Sequence, residues 1–187
     1  METIDPRNLL LKVVSILDNL GIDYFVTGGF AITVWGRIRT TNDIDMVIQL
    51  VKPQIKPLAE ALRKISSYGY IDEETATEAV RDNGEFNFID PDTGYKVDFF
   101  VTKKEEFNAL EFKRKKSKTI LGERVYFISP EDLILSKLRW YKISPSSRHI
   151  EDIESVLKIS GDILDKKYLL KQSKKQDTWD ELNKLPS

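Results

Sequence analysis

The chain has no cysteine, a single histidine and no long apolar run, and each shortage removes a class of protein. Without cysteine there is neither a disulfide framework nor a thiolate metal site, and one histidine makes a zinc centre implausible. No stretch approaches the roughly 18 apolar residues of a membrane span. Residues 1–8 lack the basic start and apolar core of a secretory leader, so the expectation is a soluble cytoplasmic protein. Excess charge of one sign is missing too: 29 Lys and Arg stand against 30 Asp and Glu, a formal net charge of −1. Contact with nucleic acid would have to come from a local patch rather than from the overall field. What is present is a chain of 187 residues, 41% hydrophobic, long enough to bury roughly 70% of its unfolded surface.

The chemistry concentrates in residues 24–49. An apolar run, Tyr24 to Val26, ends in Thr27-Gly28-Gly29 and passes into a helix-like segment at 30–35, the pattern of a strand, a glycine turn and a helix start. Glycines there let a phosphate approach the backbone, and the free N–H groups of the helix N-terminus favour an anion. After a turn-prone basic loop, Asp43 and Asp45 flank Ile44 on a predicted strand over 43–50. Alternation sends both carboxylates to one face while Ile44 buries on the other. Two adjacent carboxylates repel, and a hard divalent cation relieves that repulsion.

Elsewhere the periodicity is that of a packed α/β chain. Asp5-Pro6 opens a helix whose stripe is Leu9, Leu10, Val13, Val14, Leu17 and Leu20, ending at Gly21. Pro53 opens a second, with Ile55, Leu58, Leu62 and Ile65 at helical spacing before Tyr68-Gly69-Tyr70 stops it. A short helix is expected at 75–81. Residues 85–89 and 95–101 read as a hairpin about Asp90-Pro91-Asp92-Thr93-Gly94. On its second strand Val97, Phe99 and Val101 share a face and leave Asp98 on the other, beside Lys96 and Phe100. Asp98 is either an ordinary solvated strand residue or a third carboxylate for the pair.

Residues 107–114 are predicted helical, and Lys113, Arg114, Lys115, Lys116 and Lys118 form the densest basic patch. A hairpin about Gly122 is expected at 119–128. Ser129-Pro130-Glu131-Asp132 is a strong helix start, with Ser129 as N-cap and Asp132 placed for the reciprocal contact. Lys137 falls inside the apolar stripe of that helix, Leu133, Ile134, Leu138 and Tyr141, and either snorkels to water or reaches a bound phosphate. In the following helix Ile150, Ile153 and Leu157 face inward, while Arg148 and Asp152, four apart, read as a surface ion pair. His149 reads as a bystander. From Gly161 the chain is lysine-rich, with apolar residues spaced for one or two short helices.

Gly28, Gly29 and the run Asp43-Ile44-Asp45-Met46, with thirteen residues between Gly29 and Asp43, resemble the nucleotidyltransferase superfamily that includes DNA polymerase β. The resemblance spans residues 24–101 and implies an α+β fold, a palm-like mixed sheet flanked by helices. It implies a catalytic domain over 1–128 and a helical C-terminal region, 129–187, packed on it. It also implies transfer of a nucleoside monophosphate from a nucleoside triphosphate such as ATP to an acceptor, with two Mg²⁺ ions held by Asp43, Asp45 and Asp98. Nucleotide contacts fall to Gly28, Gly29, Arg37, Arg39, Thr41 and Lys137. Relatives commonly carry serine where Gly29 stands. The run Arg39-x-Thr41-x-Asp43-Ile44-Asp45 with the later Ser-Pro-Glu-Asp-Leu helix looks like the abortive-infection type, the toxin half of toxin and antitoxin pairs. That likeness implies an antitoxin partner, with RNA or protein as acceptor. The antibiotic adenylyltransferases are similar too and imply a small-molecule acceptor. A nucleotide-binding module without catalysis is the third alternative.

Overall fold

A computed structural model describes residues 5–102 and 106–185; residues 1–4, part of the start read above as unlike a leader, lie outside it. Helix α1 (Pro6–Asn19) is capped by Asp5, whose side chain accepts from Arg7 N–H, and it buries Leu9, Leu10, Val13, Val14 and Leu17. Strand β1 (Asp23–Val26) runs into α2 (Gly28–Trp35), and β2 (Asp43–Gln49) into α3 (Lys52–Arg63), which ends before Ile65. The segment read as a stop carries a short strand β3 (Tyr70–Ile71). Helix α4 (Glu73–Asp82) outruns its predicted bounds at both ends, because Asp72 accepts from Glu74 N–H at 2.8 Å and starts it early.

The hairpin is β4 (Glu85–Asp90) and β5 (Tyr95–Val101). Next come α5 (Glu106–Arg114), β6 (Lys116–Ile120) and β7 (Glu123–Phe127). Strand β6 starts three residues before the predicted hairpin, because Lys116 to Ile120 pair with Phe127 to Glu123 around a Leu121-Gly122 turn of positive φ. Its lysines mark an outer edge, where exposed charge discourages a further strand. The C-terminal helices are α6 (Pro130–Ile143), α7 (Ser147–Ser160), α8 (Lys166–Lys175) and α9 (Trp179–Leu182). Among the described residues no helix is long and apolar enough to cross a membrane.

The seven strands form one mixed sheet in the order β3-β4-β5-β2-β1-β7-β6. At its centre β2 runs antiparallel to β1 and parallel to β5, with Asp43 opposite Lys96 and Asp45 opposite Asp98. Alternation divides the two central strands as expected: Ile44, Met46, Ile48, Val97 and Phe99 are buried in the core, and the polar residues share the other face. Burying each large apolar side chain favours this register by roughly 1.5–3 kcal/mol, and a one-residue slip would put the aspartates into the core. Helix α2 is pinned where it ends. Trp35 Nε1 donates to Ile128 O at 2.8 Å, Ser160 Oγ donates to Trp35 O at 2.5 Å, and a Cβ on Gly36 would meet Ser155 Oγ at 2.4 Å. The first contact holds α2 to the end of β7 and the second holds it to α7, against which Gly36 packs with no room for a side chain.

Candidate functional site

The turn between β1 and α2 brings the glycines against the carboxylates. Thr27 N–H donates to Asp45 O at 2.8 Å, extending the β1–β2 ladder to the turn. Gly28 follows at φ +59°, and a Cβ there would stand 1.8 Å from Asp45 Oδ2. Asp45 accepts from Gly29 N–H, so its own carboxylate occupies the anion position at the start of α2. The Asp45 carboxyl is pushed above the usual range, first by burial and then by the charge of Asp98, with Asp43 adding to it. The Gly29 bond and the charge of Lys137 act the other way. Gly29 is constrained differently: its Cβ would lie 2.7 Å from Thr41 Cβ and Oγ1. Thr41 Oγ1 in turn donates to Asp43 O at 3.0 Å and shapes the approach to β2.

Asp43, Asp45 and Asp98 lie on one face of adjacent strands, with Lys96 as the fourth group of the same patch. Lys96 Nζ is 2.9 Å from Asp98 Oδ2. That bond holds the ammonium above its ordinary range, and the charges of Asp43 and Asp45 add to it against burial. Hard oxygen donors on neighbouring strands suit Mg²⁺, and the burial and mutual repulsion seen at Asp45 are what such an ion offsets. The donor chemistry therefore fits a divalent cation. Among the described residues no three His, Cys, Asp or Glu side chains are gathered about one point: Asp98 is turned to Lys96 and Asp45 to the glycine turn.

A cleft of about 320 Å³ opens in front of this face and includes Phe25, Gly28, Asp45, Phe100, Lys137 and His149 in its lining. Lys137 thus faces the cleft, and its Nζ lies 3.0 Å from Asp152 Oδ2. The sequence reading missed Asp152. Its side chain is fully buried, bonded to Arg39 Nη1 at 2.9 Å and 3.7 Å from Arg37 Nη2. The expected surface pair with exposed Arg148 is therefore corrected: the carboxylate points inward to cations from the 36–42 loop and α6. Buried Asp152, Ile153, Val156 and Ser160 define the inner face of α7, a helical spacing that was available as a signal. The sequence-predicted apolar face holds: Ile153 is fully buried, and Ile150 and Leu157 are half-buried against the core.

Arg37 is drawn toward Glu151 at 2.7 Å, outside the lining of the cleft. Arg39 and Thr41 line a separate hollow of about 330 Å³. Of the sequence candidates, Gly28, Asp45 and Lys137 line the cleft; Asp43 and Asp98 share the sheet face with Asp45 outside that lining, and Gly29 packs against Thr41. His149 Nδ1 is buried without a hydrogen-bond partner among the described residues. Burial, then the charge of Lys137, pulls its imidazole below the ordinary 6.5.

At the far end of α6 the predicted capping contact forms through the hydroxyl: Ser129 Oγ accepts from Asp132 N–H at 3.1 Å and donates to Asp132 Oδ2 at 2.7 Å. The basic patch is divided. Arg114 pairs with Glu131 at 3.1 Å and stacks on Tyr168 at 3.7 Å, and Lys115 turns back onto Asp23. Lys113, Lys116 and Lys118 are exposed.

Known proteins share this arrangement of elements. The antibiotic-resistance factor ANT(2″)-Ia, in its solution structure, is 17% identical over 94% of each chain with a TM-score of 0.64. The lincomycin-bound lincosamide antibiotic adenylyltransferase LnuA is 12% identical, covering 84% of this chain and 99% of its own, with a TM-score of 0.58. An antigenic nucleotidyltransferase-like protein from Paracoccidioides brasiliensis is 23% identical, covering 80% of this chain and 74% of its own, with a TM-score of 0.51. At these identities the likeness establishes the fold. No curated protein matches the sequence. A family model spans nearly the whole chain, residues 8–183, and the protein belongs to that family, described as nucleotidyltransferase of unknown function (DUF6036).

Proposed function

We propose that the protein transfers a nucleoside monophosphate from a nucleoside triphosphate to a hydroxyl of a small-molecule acceptor. The observation that carries this is the alignment of Asp43, Asp45 and Asp98 on one face of β2 and β5, against the Gly28-Gly29 turn. Asp43, Asp45 and Asp98 would hold two Mg²⁺ ions, which when bound supply Lewis-acid polarisation and neutralise charge in an in-line displacement. The Gly29 N–H, released by Asp45, donates to a phosphate oxygen at the start of α2. Lys137, facing the cleft, balances triphosphate charge, and Asp152 holds it together with Arg39. The acceptor oxygen bonds to the α-phosphorus as the bond to the β-phosphate oxygen breaks. Pyrophosphate leaves, and Asp98 would take the hydroxyl proton once Lys96 has released it.

The acceptor would sit where the cleft is lined by the half-exposed indole of Trp140 and the buried Glu111 carboxylate, 3.3 Å from Arg139 Nη2. An apolar ring surface beside a carboxylate suits a compact polar molecule. The inward pairing of Arg114 and Lys115 thins the patch that an RNA acceptor would use. The exposed Lys113, Lys116 and Lys118 support a second reading, an RNA acceptor in a toxin of the abortive-infection type with an antitoxin partner.

The test is incubation with triphosphates labelled at the α-phosphate, Mg²⁺, and either hydroxyl-bearing antibiotics or RNA. Label in the small-molecule fraction is expected. Label in RNA, diminished by replacing Lys113, Lys116 and Lys118 with Ser, would transfer the assignment to the toxin type. Nucleotide binding without transfer to either would reduce the protein to a binding module.

A further inference from the structure

The in-register pairing of β2 with β5 sets four residues on one face of the sheet, Asp43 opposite Lys96 and Asp45 opposite Asp98 along the backbone. Three bear carboxylates, and the fourth bears an ammonium bonded to Asp98 at 2.9 Å. Lys96 is one alternation step from Asp98 on the same strand face, so the pair needs no backbone movement to form or to break. The ammonium therefore engages an Asp98 oxygen that a divalent cation would need, and it is tethered.

We propose that Lys96 is a resident competitor for the divalent-cation site, neutralising Asp98 until a metal ion displaces its ammonium. This inference rests on the reading of Asp43, Asp45 and Asp98 as metal ligands. A tethered cation lowers affinity for a free ion by adding repulsion and by engaging one ligand oxygen. The nucleotide-free protein thus holds metal weakly, and arrival of metal with a triphosphate, whose oxygens offer further ligands, overcomes the competition. Lys96 is a positioning residue in this account. Its side chain is 39% exposed, which gives the freed ammonium a route to water.

The test uses Mn²⁺ alone with the full chain and no nucleotide, following the free-ion electron paramagnetic resonance signal. Lys96→Met should tighten Mn²⁺ binding roughly tenfold, the effect of deleting one partly screened charge beside the ion, whereas Lys96→Arg should stay close to wild type. Without metal, Lys96→Met should also melt lower than wild type, and Mn²⁺ should raise its melting temperature by more. Mn²⁺ affinity that is lost in Asp45→Asn but unchanged or weaker in Lys96→Met overturns the role of Lys96 alone. Affinity that is absent throughout, or equal in wild type, Lys96→Met and Asp45→Asn, overturns the metal reading together with it.

Discussion

A methyl group at Gly28 would lie 1.8 Å from Asp45 Oδ2, on a backbone at φ +59°. Gly28→Ala is therefore expected to cost about 1–2 kcal/mol for the left-handed backbone and to push the Asp45 carboxylate off the turn, with transfer falling by roughly two orders of magnitude. Denaturant melts and transfer rates on one preparation check both effects. Gly29→Val acts elsewhere, since the clash there is with Thr41, and it should lower melting temperature as well as nucleotide affinity. His149 offers a second probe, because the chain's sole histidine gives an unambiguous imidazole signal. Its folded-state value is lowered, so the unfolded chain takes the proton first, and this contribution to stability is lost as pH falls below 6.5 through the lowered value. An NMR titration should place His149 below 6.5, and Lys137→Met should move it back upward. A wild-type midpoint at or above 6.5 would contradict the placement of Lys137 beside it.

The elements that carry the site were the most legible in the sequence, and for a physical reason. Alternation in Asp43-Ile44-Asp45-Met46 and in Lys96-Val97-Asp98-Phe99 assigns faces through local geometry alone, and the glycine turn is a local signal as well. Helix α7 was legible as a helix and in its apolar face, Ile150, Ile153 and Leu157, but not in the burial of Asp152. A carboxylate in an amphipathic stretch reads as surface, and the arginine bonded to Asp152, Arg39, lies 113 positions away. Burial of that carboxylate makes α7 part of the site's support. Asp152→Ala should destabilise by about 3–5 kcal/mol, because Arg39 and Lys137 are left without their common partner. Arg148→Ala should stay within about 0.5 kcal/mol. Thermal unfolding of the two variants separates these outcomes, and equal effects would return Asp152 to the surface reading.

At the scale of the whole molecule, the near balance of charge leaves the acceptor open, and a run of five cations points toward a nucleic acid. Tertiary pairing dissolves that suggestion in part. Arg114 and Lys115 serve the packing of α5 against α6, α8 and β1, contacts no local pattern could reveal. The long-range order of the sheet was equally out of reach, since the placement of β7 beside β1 depends on residues about a hundred positions apart. The central claim is nucleotidyl transfer at Asp43 and Asp45, and the most direct measurement is release of pyrophosphate coupled to α-label transfer in wild type, Asp43→Asn and Asp45→Asn with Mg²⁺ present. Wild type should release pyrophosphate in step with labelled product, while both variants lose at least roughly a hundredfold in rate and remain folded by circular dichroism. Variants that are folded and turn over like wild type would contradict the account.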